Sequence, residues 1–110
     1  TIFTFEPLDK NNHSRNVCVF ANGEVDRSPT GTGVSARAAV HFKRGEIKLN
    51  ETVAIESILG SIFKVSVLKE TKLGSLNAII PEVEGTANIV GKNTFWIDPD
   101  DNIGQGFMLR

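Results

Sequence analysis

The sequence has little of what several protein classes require, and each shortage excludes one of them. A single cysteine, Cys18, cannot form a disulfide within the chain, so the composition favours a reducing, cytoplasmic compartment. With two histidines, His13 and His41, and no Cys/His cluster, a structural zinc site has no support. No apolar run approaches the roughly 20 residues that cross a bilayer, and no basic-then-apolar leader of the secretory type is present. We therefore expect no disulfide framework, no metal and no membrane segment.

An excess of charge of either sign is also missing. The 110 residues carry 12 Lys and Arg against 13 Asp and Glu, for a formal net charge of −1. Nucleic acid and anionic membranes are recognised by a clustered basic face, so neither is an expected partner. The length suffices for one small domain with a core but not for two. Because the sequence begins at Thr1 directly in an alternating strand pattern, we expect it to be part of a longer chain.

The most informative feature that is present is the run from Asp26 to Gly33, which reads Asp-Arg-Ser-Pro-Thr-Gly-Thr-Gly. An apolar run at Asn16–Phe20 precedes it and the alanine-rich segment Val34–Val40 follows it, so the order is strand, small-residue loop, helix. Free N–H groups and the dipole at such a helix N-terminus favour a carboxylate or phosphate, and glycines let the ligand come close. Alone, the pattern is weak, because many helices begin with Gly and Thr for capping.

Local patterns define the first half of the chain. They predict strands at Ile2–Phe5 and Asn16–Phe20, a polar loop at Leu8–Arg15, and a helix over about Thr32–Lys43. Gly45 follows the helix where a left-handed C-cap is expected. Because small residues cover much of the helix, we expect it to be buried against a sheet. His13 is expected to be solvated in its loop, and His41 partly exposed near the helix end.

After Gly45 the sequence changes to a period of two. The predicted strands lie at 53–55, 62–68, 76–80, 87–89 and 95–97, with turns at 59–61, 72–75, 84–85, 90–92 and 98–100. This spacing favours a mostly antiparallel meander or a half barrel. One helix against such a sheet makes an α+β domain.

The run that ends at Gly33 resembles a known signature. Followed by Val34-Ser35-Ala36, it is similar to Asp-Arg-Ser-Pro-Cys-Gly-Thr-Gly and Thr/Val-Ser-Ala, the second catalytic motif of the proline racemase family. Glu56–Phe63 resembles the family's Glu-Ser-Ile-Ile-Gly-Ser-x-Phe stretch. The closing signatures are similar at Gly85–Ala87, Phe95–Asp98 and Gly106-Phe107. The resemblance implies that residues 1–110 form a single C-terminal lobe of the diaminopimelate epimerase type, a sheet around one central helix.

For the site, the resemblance implies an arrangement between two lobes that uses no cofactor. One cysteine from each lobe faces the α-carbon of a proline-like small-molecule substrate. Asp26 then contacts the ring nitrogen of the substrate, and the amides of Gly31 and Thr32 bind its carboxylate. The N-terminal lobe, with its Met-x-Cys-Gly-His motif, is absent from this sequence. The missing lobe, or a second copy of the chain in its place, is therefore the expected partner.

The departure from the family motif is Thr30, which stands where racemases and epimerases have their second catalytic cysteine. A thiol has a pKa near ~8.5 that a helix N-terminus lowers, whereas a hydroxyl is too weak an acid for the same task. Racemisation needs a base on one face and an acid on the other. Threonine here resembles the trans-3-hydroxy-L-proline dehydratases, in which the other lobe's cysteine takes the α-proton and water is lost to give pyrroline-2-carboxylate. Cys18 lies in an apolar strand and is expected to be buried and inert.

Three interpretations stay open at this point. The preferred one is the C-terminal lobe of a dehydratase-like hydro-lyase, inactive as an isolated fragment. The second is a proline racemase or hydroxyproline epimerase that tolerates Thr30, and the third is a non-catalytic module that binds a small carboxylate. Thr30 either bonds the departing hydroxyl or orders the site. Arg27 is expected to pair with a carboxylate that shapes the loop.

Overall fold

The sheet and its single α-helix account for residues 2–84 of the chain. The computed structural model describes residues 1–108. In chain order its elements are β1 (Ile2–Phe5), β2 (Ser14–Cys18), a 3₁₀ turn (Ala21–Gly23), α1 (Gly31–Lys43), β3 (Val53–Ser57), β4 (Ile62–Leu73) and β5 (Leu76–Glu84). The strands form one open sheet in the order β1-β2-β3-β4-β5. All neighbours run antiparallel except β2 and β3, which are parallel. The predicted α+β class with a mostly antiparallel sheet is confirmed.

The core lies between α1 and the sheet. Its buried apolar side chains are Val34, Ala38, Ile47, Ile55, Val65 and Val67. Val34 and Ala38 are four residues apart and so share one side of the helix, which packs against β4 and β5. Burying each valine or isoleucine contributes about 1.5–3 kcal/mol.

The expectation of a fully buried helix is wrong. Ala36 and Val40 stay exposed on α1, because the open sheet covers only one side of it. Of the small residues, Gly33 and Ala38 are buried on the covered side and serve close packing there. Among residues 1–108, no helix combines the length and the apolar character that crossing a membrane requires.

Strand β2 is displaced from its predicted position by two residues. Ser14 pairs with Ile55 and Asn16 with Ser57 in parallel register, which brings the end of the predicted loop into the sheet. The side chains of Ser14 and Asn16 are buried. A pattern that searches for apolar residues misses such positions, because it assigns polar residues to the surface.

The three strands predicted directly after α1 are confirmed, although burial in β3 and β4 comes in runs of three consecutive residues and not in alternation, and the strands predicted further on do not form. Two left-handed glycines close the hairpins, Gly60 at φ +85° and Gly74 at φ +61°. Residues 87–89 and 95–97 lie in no strand, and the side chains of Ile89 and Trp96 are 98% and 92% exposed. An alternating segment becomes a strand only where it finds an edge to pair with, and these residues find none within 1–108.

Candidate functional site

The loop between β2 and α1 is held by its own hydrogen bonds. The backbone N–H of Ser28 donates to Oδ1 of Asp26 over 2.8 Å, and the Thr30 N–H donates to the Ser28 hydroxyl over 3.0 Å. The Thr30 hydroxyl donates to Oδ2 of Asp26 over 2.8 Å. Both carboxylate oxygens of Asp26 thus accept bonds from the loop, which fixes Asp26 and Thr30 relative to each other.

Thr30 immediately precedes α1 in an unusual backbone conformation. Its φ and ψ angles are 68° and 108°, a region that β-branched residues rarely adopt and that costs about 1–3 kcal/mol. Its side chain is 7% exposed and caps no helix N–H, because its hydroxyl is engaged with Asp26. Its carbonyl accepts the first helical bond, from Val34. Backbone strain of this kind collects at functional sites, and the sequence gives no sign of it.

The first N–H groups of α1 are open. Within residues 1–108 the N–H groups of Gly31, Thr32 and Gly33 donate to no protein acceptor, and Gly31 and Thr32 are exposed. The first turn contains no acidic side chain, so nothing in it balances the roughly +0.5 charge of the helix dipole. This is the geometry of an anion site. Binding of a carboxylate there stays a prediction.

Asp26 adds a fixed negative charge beside these amides. Partial burial acts to raise the pKa of Asp26, but the bonds from Ser28 and Thr30, with the nearby charge of Arg27, outweigh it and hold the pKa below its ordinary value. The carboxyl group is therefore ionised at neutral pH. Open amides and an ionised carboxylate side by side suit a ligand that carries both a carboxylate and an amine.

The turn that follows β3 supports the loop from the side. The Ser61 hydroxyl donates to the carbonyl of Arg27 over 3.0 Å, and its oxygen lies 2.8 Å from the Ser57 hydroxyl oxygen, within hydrogen-bond distance. The Ser57 hydroxyl in turn accepts the N–H groups of Leu59 and Ser61. Sequence analysis predicted a turn at these residues, as found, but not that it would contact the loop.

Glu56, in β3 just before this turn, hydrogen-bonds a second loop, residues 8–12. Its carboxylate accepts bonds from the side chain of Asn12 and from the N–H groups of Leu8 and Asp9. The Asn12 bond is the main cause that lowers the pKa of Glu56, followed by the two backbone bonds. Arg15 donates to the carbonyls of residues 57 and 58. The conformation of the turn is thus fixed from both sides.

Three expectations about individual side chains have clear outcomes. Cys18 is 6% exposed, so its predicted burial is confirmed. The expectation for Arg27 is wrong: its guanidinium forms no ion pair within residues 1–108, and its backbone carbonyl makes the tie to Ser61 instead. His13 is half-buried rather than solvated, because its ring packs edge-on against His41, with ring centroids 4.6 Å apart.

Residues 26–33 form an open surface rather than a closed pocket. A groove of about 750 Å³ lies elsewhere, between the C-terminal half of α1 and the β4–β5 hairpin, and no residue of the loop lines it. A small ligand on the open amides of Gly31 and Thr32 would be covered on one side only. Enclosing it requires a second surface.

Comparison with known proteins identifies the family of the chain. The family model described as proline racemase matches residues 1–108. The chain belongs to the proline racemase family. A trans-3-hydroxy-L-proline dehydratase of Colwellia psychrerythraea is 48% identical over 109 residues, covering 99% of this chain and 31% of that protein. A proline racemase of Acetoanaerobium sticklandii is 49% identical over 104 residues, covering 94% and 31%.

Solved structures of the family have the same fold. The crystal structure of a hydroxyproline epimerase from Agrobacterium vitis, with bound trans-4-OH-L-proline, superposes with a TM-score of 0.77 at 34% identity. It covers 98% of this chain, which in turn covers 30% of the epimerase. The chain therefore spans about a third of the length of these family members.

Proposed function

We propose that the chain is the C-terminal lobe of a cofactor-independent, cytoplasmic enzyme similar to trans-3-hydroxy-L-proline dehydratase. The observation that carries this proposal is Thr30, which stands at the motif position of the second cysteine and donates its hydroxyl to an ionised carboxylate. A hydroxyl that faces a carboxylate has no free proton for the α-carbon. The site then has one thiol, which comes from the other lobe. One thiol can take the α-proton for elimination, but racemisation also needs an acid on the opposite face of the α-carbon.

In the proposed reaction, the other lobe's cysteine thiolate takes the α-proton of trans-3-hydroxy-L-proline. The electron pair of the broken C–H bond forms the double bond between the α- and β-carbons as the bond to the 3-hydroxyl breaks. The proton removed and the departing hydroxide together make up the water lost. The resulting enamine tautomerises to pyrroline-2-carboxylate.

The residues of this chain bind and orient that substrate. The ionised carboxylate of Asp26 attracts the ring ammonium, since each of its oxygens still has a lone pair after accepting its loop bond. The open N–H groups of Gly31 and Thr32 donate to the substrate carboxylate, with the helix dipole adding to the attraction. Donors aimed at the carboxylate also stabilise the negative charge that develops when the α-proton leaves.

Thr30 has an ordering role in this proposal and a second role as acceptor. Its proton is committed to Asp26, but its oxygen keeps lone pairs that can accept a bond from the substrate 3-hydroxyl. Such a bond selects a substrate with a hydroxyl in that position over one without it. The preference follows because an analogue without the 3-hydroxyl makes one hydrogen bond fewer in the site.

The test uses the full-length protein in heavy water with three compounds: trans-3-hydroxy-L-proline, L-proline and trans-4-hydroxy-L-proline. A dehydratase forms a ketimine from the first compound and leaves the α-hydrogen of the others in place. Inversion of L-proline or of the 4-hydroxy compound, with deuterium at the α-carbon, would overturn the dehydratase proposal.

An isomerase of the racemase or epimerase type is the second candidate, because a hydroxyproline epimerase has the same fold at 34% identity. The heavy-water experiment decides between the two.

A module that only binds small carboxylates is the third candidate and rests on the open amides alone. The reading frame before Thr1 tests this third candidate: a Met-x-Cys-Gly-His motif there supports an enzyme, and its absence supports a binding module.

A further inference from the structure

A buried amide side chain lies directly beneath the loop. Asn16 is in β2 and is 0% exposed. Its Nδ2 donates to the carbonyl of Pro29 over 2.9 Å, and its Oδ1 accepts Nη1 of Arg37 over 2.8 Å. Asn16 therefore joins the sheet, the helix and the residue that precedes Thr30.

Arg37 fixes which way this amide points. Its guanidinium is donor-only and the Pro29 carbonyl is acceptor-only, so only one orientation of the Asn16 amide satisfies both. Nη2 of Arg37 also donates to the Ser14 hydroxyl over 2.7 Å and lies 3.3 Å from Nε2 of His41. Within residues 1–108 no carboxylate forms an ion pair with Arg37. Burial of this charge without a counter-ion costs desolvation free energy, which the bonds to Asn16 and Ser14 offset, and the same bonds orient the Asn16 amide.

The bond to Pro29 determines the geometry of the next residue. The proline ring fixes φ of Pro29, and the bond to its carbonyl fixes the peptide plane that joins it to Thr30. That plane directs the Thr30 N–H to Ser28. With the plane fixed, Thr30 is kept at φ +68°, with its hydroxyl on Asp26 and the helix amides open.

We infer that Asn16 and Arg37 are positioning residues for the reaction. They act through the Pro29–Thr30 peptide, without touching substrate, and keep Thr30 and the anion site in the strained, productive conformation. The inference rests on the proposed function for its substrate, but not for its geometry. Displacement of catalytic groups by about 1 Å costs on the order of 100-fold in rate.

The test compares Asn16→Asp and Arg37→Lys with the wild type in the full-length enzyme. Asn16→Asp keeps an acceptor for Arg37, now as an ion pair, but loses the donor to Pro29. Arg37→Lys keeps the charge but cannot reach Asn16 and Ser14 with a planar fork. Both variants are expected to lower kcat by about 10- to 100-fold, with Asn16→Asp the more severe. KM should rise as well, because the anion site moves with Thr30, and the melting temperature should fall by a few degrees while unfolding stays cooperative, because a buried hydrogen bond is lost. Arg44→Gln, at the far end of α1, is the control and keeps wild-type kcat.

The amide resonances of residues 30–33, recorded by NMR without any substrate, provide the second readout. Positioning predicts that these resonances shift in both variants and that those of β4 and β5 do not. Unchanged kcat would overturn the inference, and so would a loss of kcat matched by a general loss of fold. If the wild type inverts a proline instead of dehydrating the 3-hydroxy compound, the proposed function fails, and the same kcat comparison is made on the inversion.

Discussion

The two ends of α1 differ in whether their terminal backbone groups have hydrogen-bond partners within the chain. At the C-terminal end, backbone N–H groups of the chain bond the last helix carbonyls. The N–H of Gly45, which has φ +73°, donates to the carbonyl of Phe42, and the N–H of Glu46 donates to the carbonyl of His41. These two bonds form the left-handed capping arrangement that closes many helices. At the N-terminal end the amides of Gly31 and Thr32 are open and the preceding residue is strained. One end is closed by the chain's own hydrogen bonds and the other is the proposed anion site, so changes at the two ends should separate binding from folding.

The largest effect is expected when the open end is left without its second surface. Residues 1–110 alone should not release water from trans-3-hydroxy-L-proline, because a base must first take the α-proton. Asp26 is proposed to bind the substrate instead, and the Thr30 hydroxyl is too weak an acid to supply an alkoxide base. They should also self-associate, since Phe95 and Trp96 are 87% and 92% exposed and large apolar patches attract partners. Turnover by the purified chain, or a monomer in sedimentation at high concentration, would contradict this.

Removing the charge at the open end comes next. In the full-length enzyme, Asp26→Asn should lower kcat/KM by about 100-fold, the scale of one lost charged hydrogen bond and its unpaired partners. Glu24→Gln, an exposed charge in the same loop, is the matched control and should have no effect. Equal kcat/KM for Asp26→Asn and wild type would remove Asp26 from the substrate site.

Removing one open amide tests the anion site alone. Thr32→Pro deletes a single N–H group in the first turn of α1, where proline is tolerated because that group has no helical partner. We expect KM for the carboxylate substrate to rise about 10-fold, with the melting temperature close to wild type. The measurement is steady-state kinetics beside thermal unfolding. A fall in stability without a change in KM would mean that the amide is structural.

The reciprocal change is made at the closed end. Gly45→Ala puts a side chain on a left-handed residue, and since the added carbon meets nothing within 4 Å, the cost is that of the backbone alone. We expect a loss of about 1 kcal/mol in unfolding free energy and an unchanged KM, measured by urea titration and kinetics. A KM that rises with the loss of stability would show that the two ends of α1 are coupled.

The smallest expected effect is a change in how steeply the free energy of unfolding falls at acidic pH. The pKa of Glu46, at the closed end, is lowered chiefly by its bond to His41, and that of Asp26 is lowered by its loop bonds against partial desolvation. Each carboxylate is easier to protonate in the unfolded chain. The stability it adds is therefore complete above its ordinary pKa and is lost as pH falls through the folded value. Unfolding free energies of Asp26→Asn and Glu46→Gln should fall less steeply than wild type below about pH 4.5, as urea titrations at several pH values will measure. A slope as steep as wild type would contradict the lowered pKa values.

Sequence patterns located the loop, the helix and strands β3 to β5, because period and turn residues are local properties of the chain. They failed where a residue's role depends on distant partners. Asn16 looked like the start of an apolar strand, and its importance comes from Pro29 and Arg37, which are 13 and 21 residues away. The φ of Thr30 likewise depends on its bonds to Ser28, Asp26 and Val34, which no local sequence pattern predicts. The short runs 87–89 and 95–97 alternate as strands do, but no sheet edge among residues 1–108 receives them.

The parallel pairing of β2 with β3 explains why two distant motifs meet. The loop that contains Arg27 and the turn that contains Ser61 both follow the carboxyl ends of these two strands, and because the strands are parallel both segments lie at the same edge of the sheet. The contact between them spans 34 residues, so the ligand surface exists only after the two strands have come together. Anything that binds there is linked to the folding equilibrium of the central sheet. A carboxylate compound that binds there should therefore stabilise this fold against unfolding.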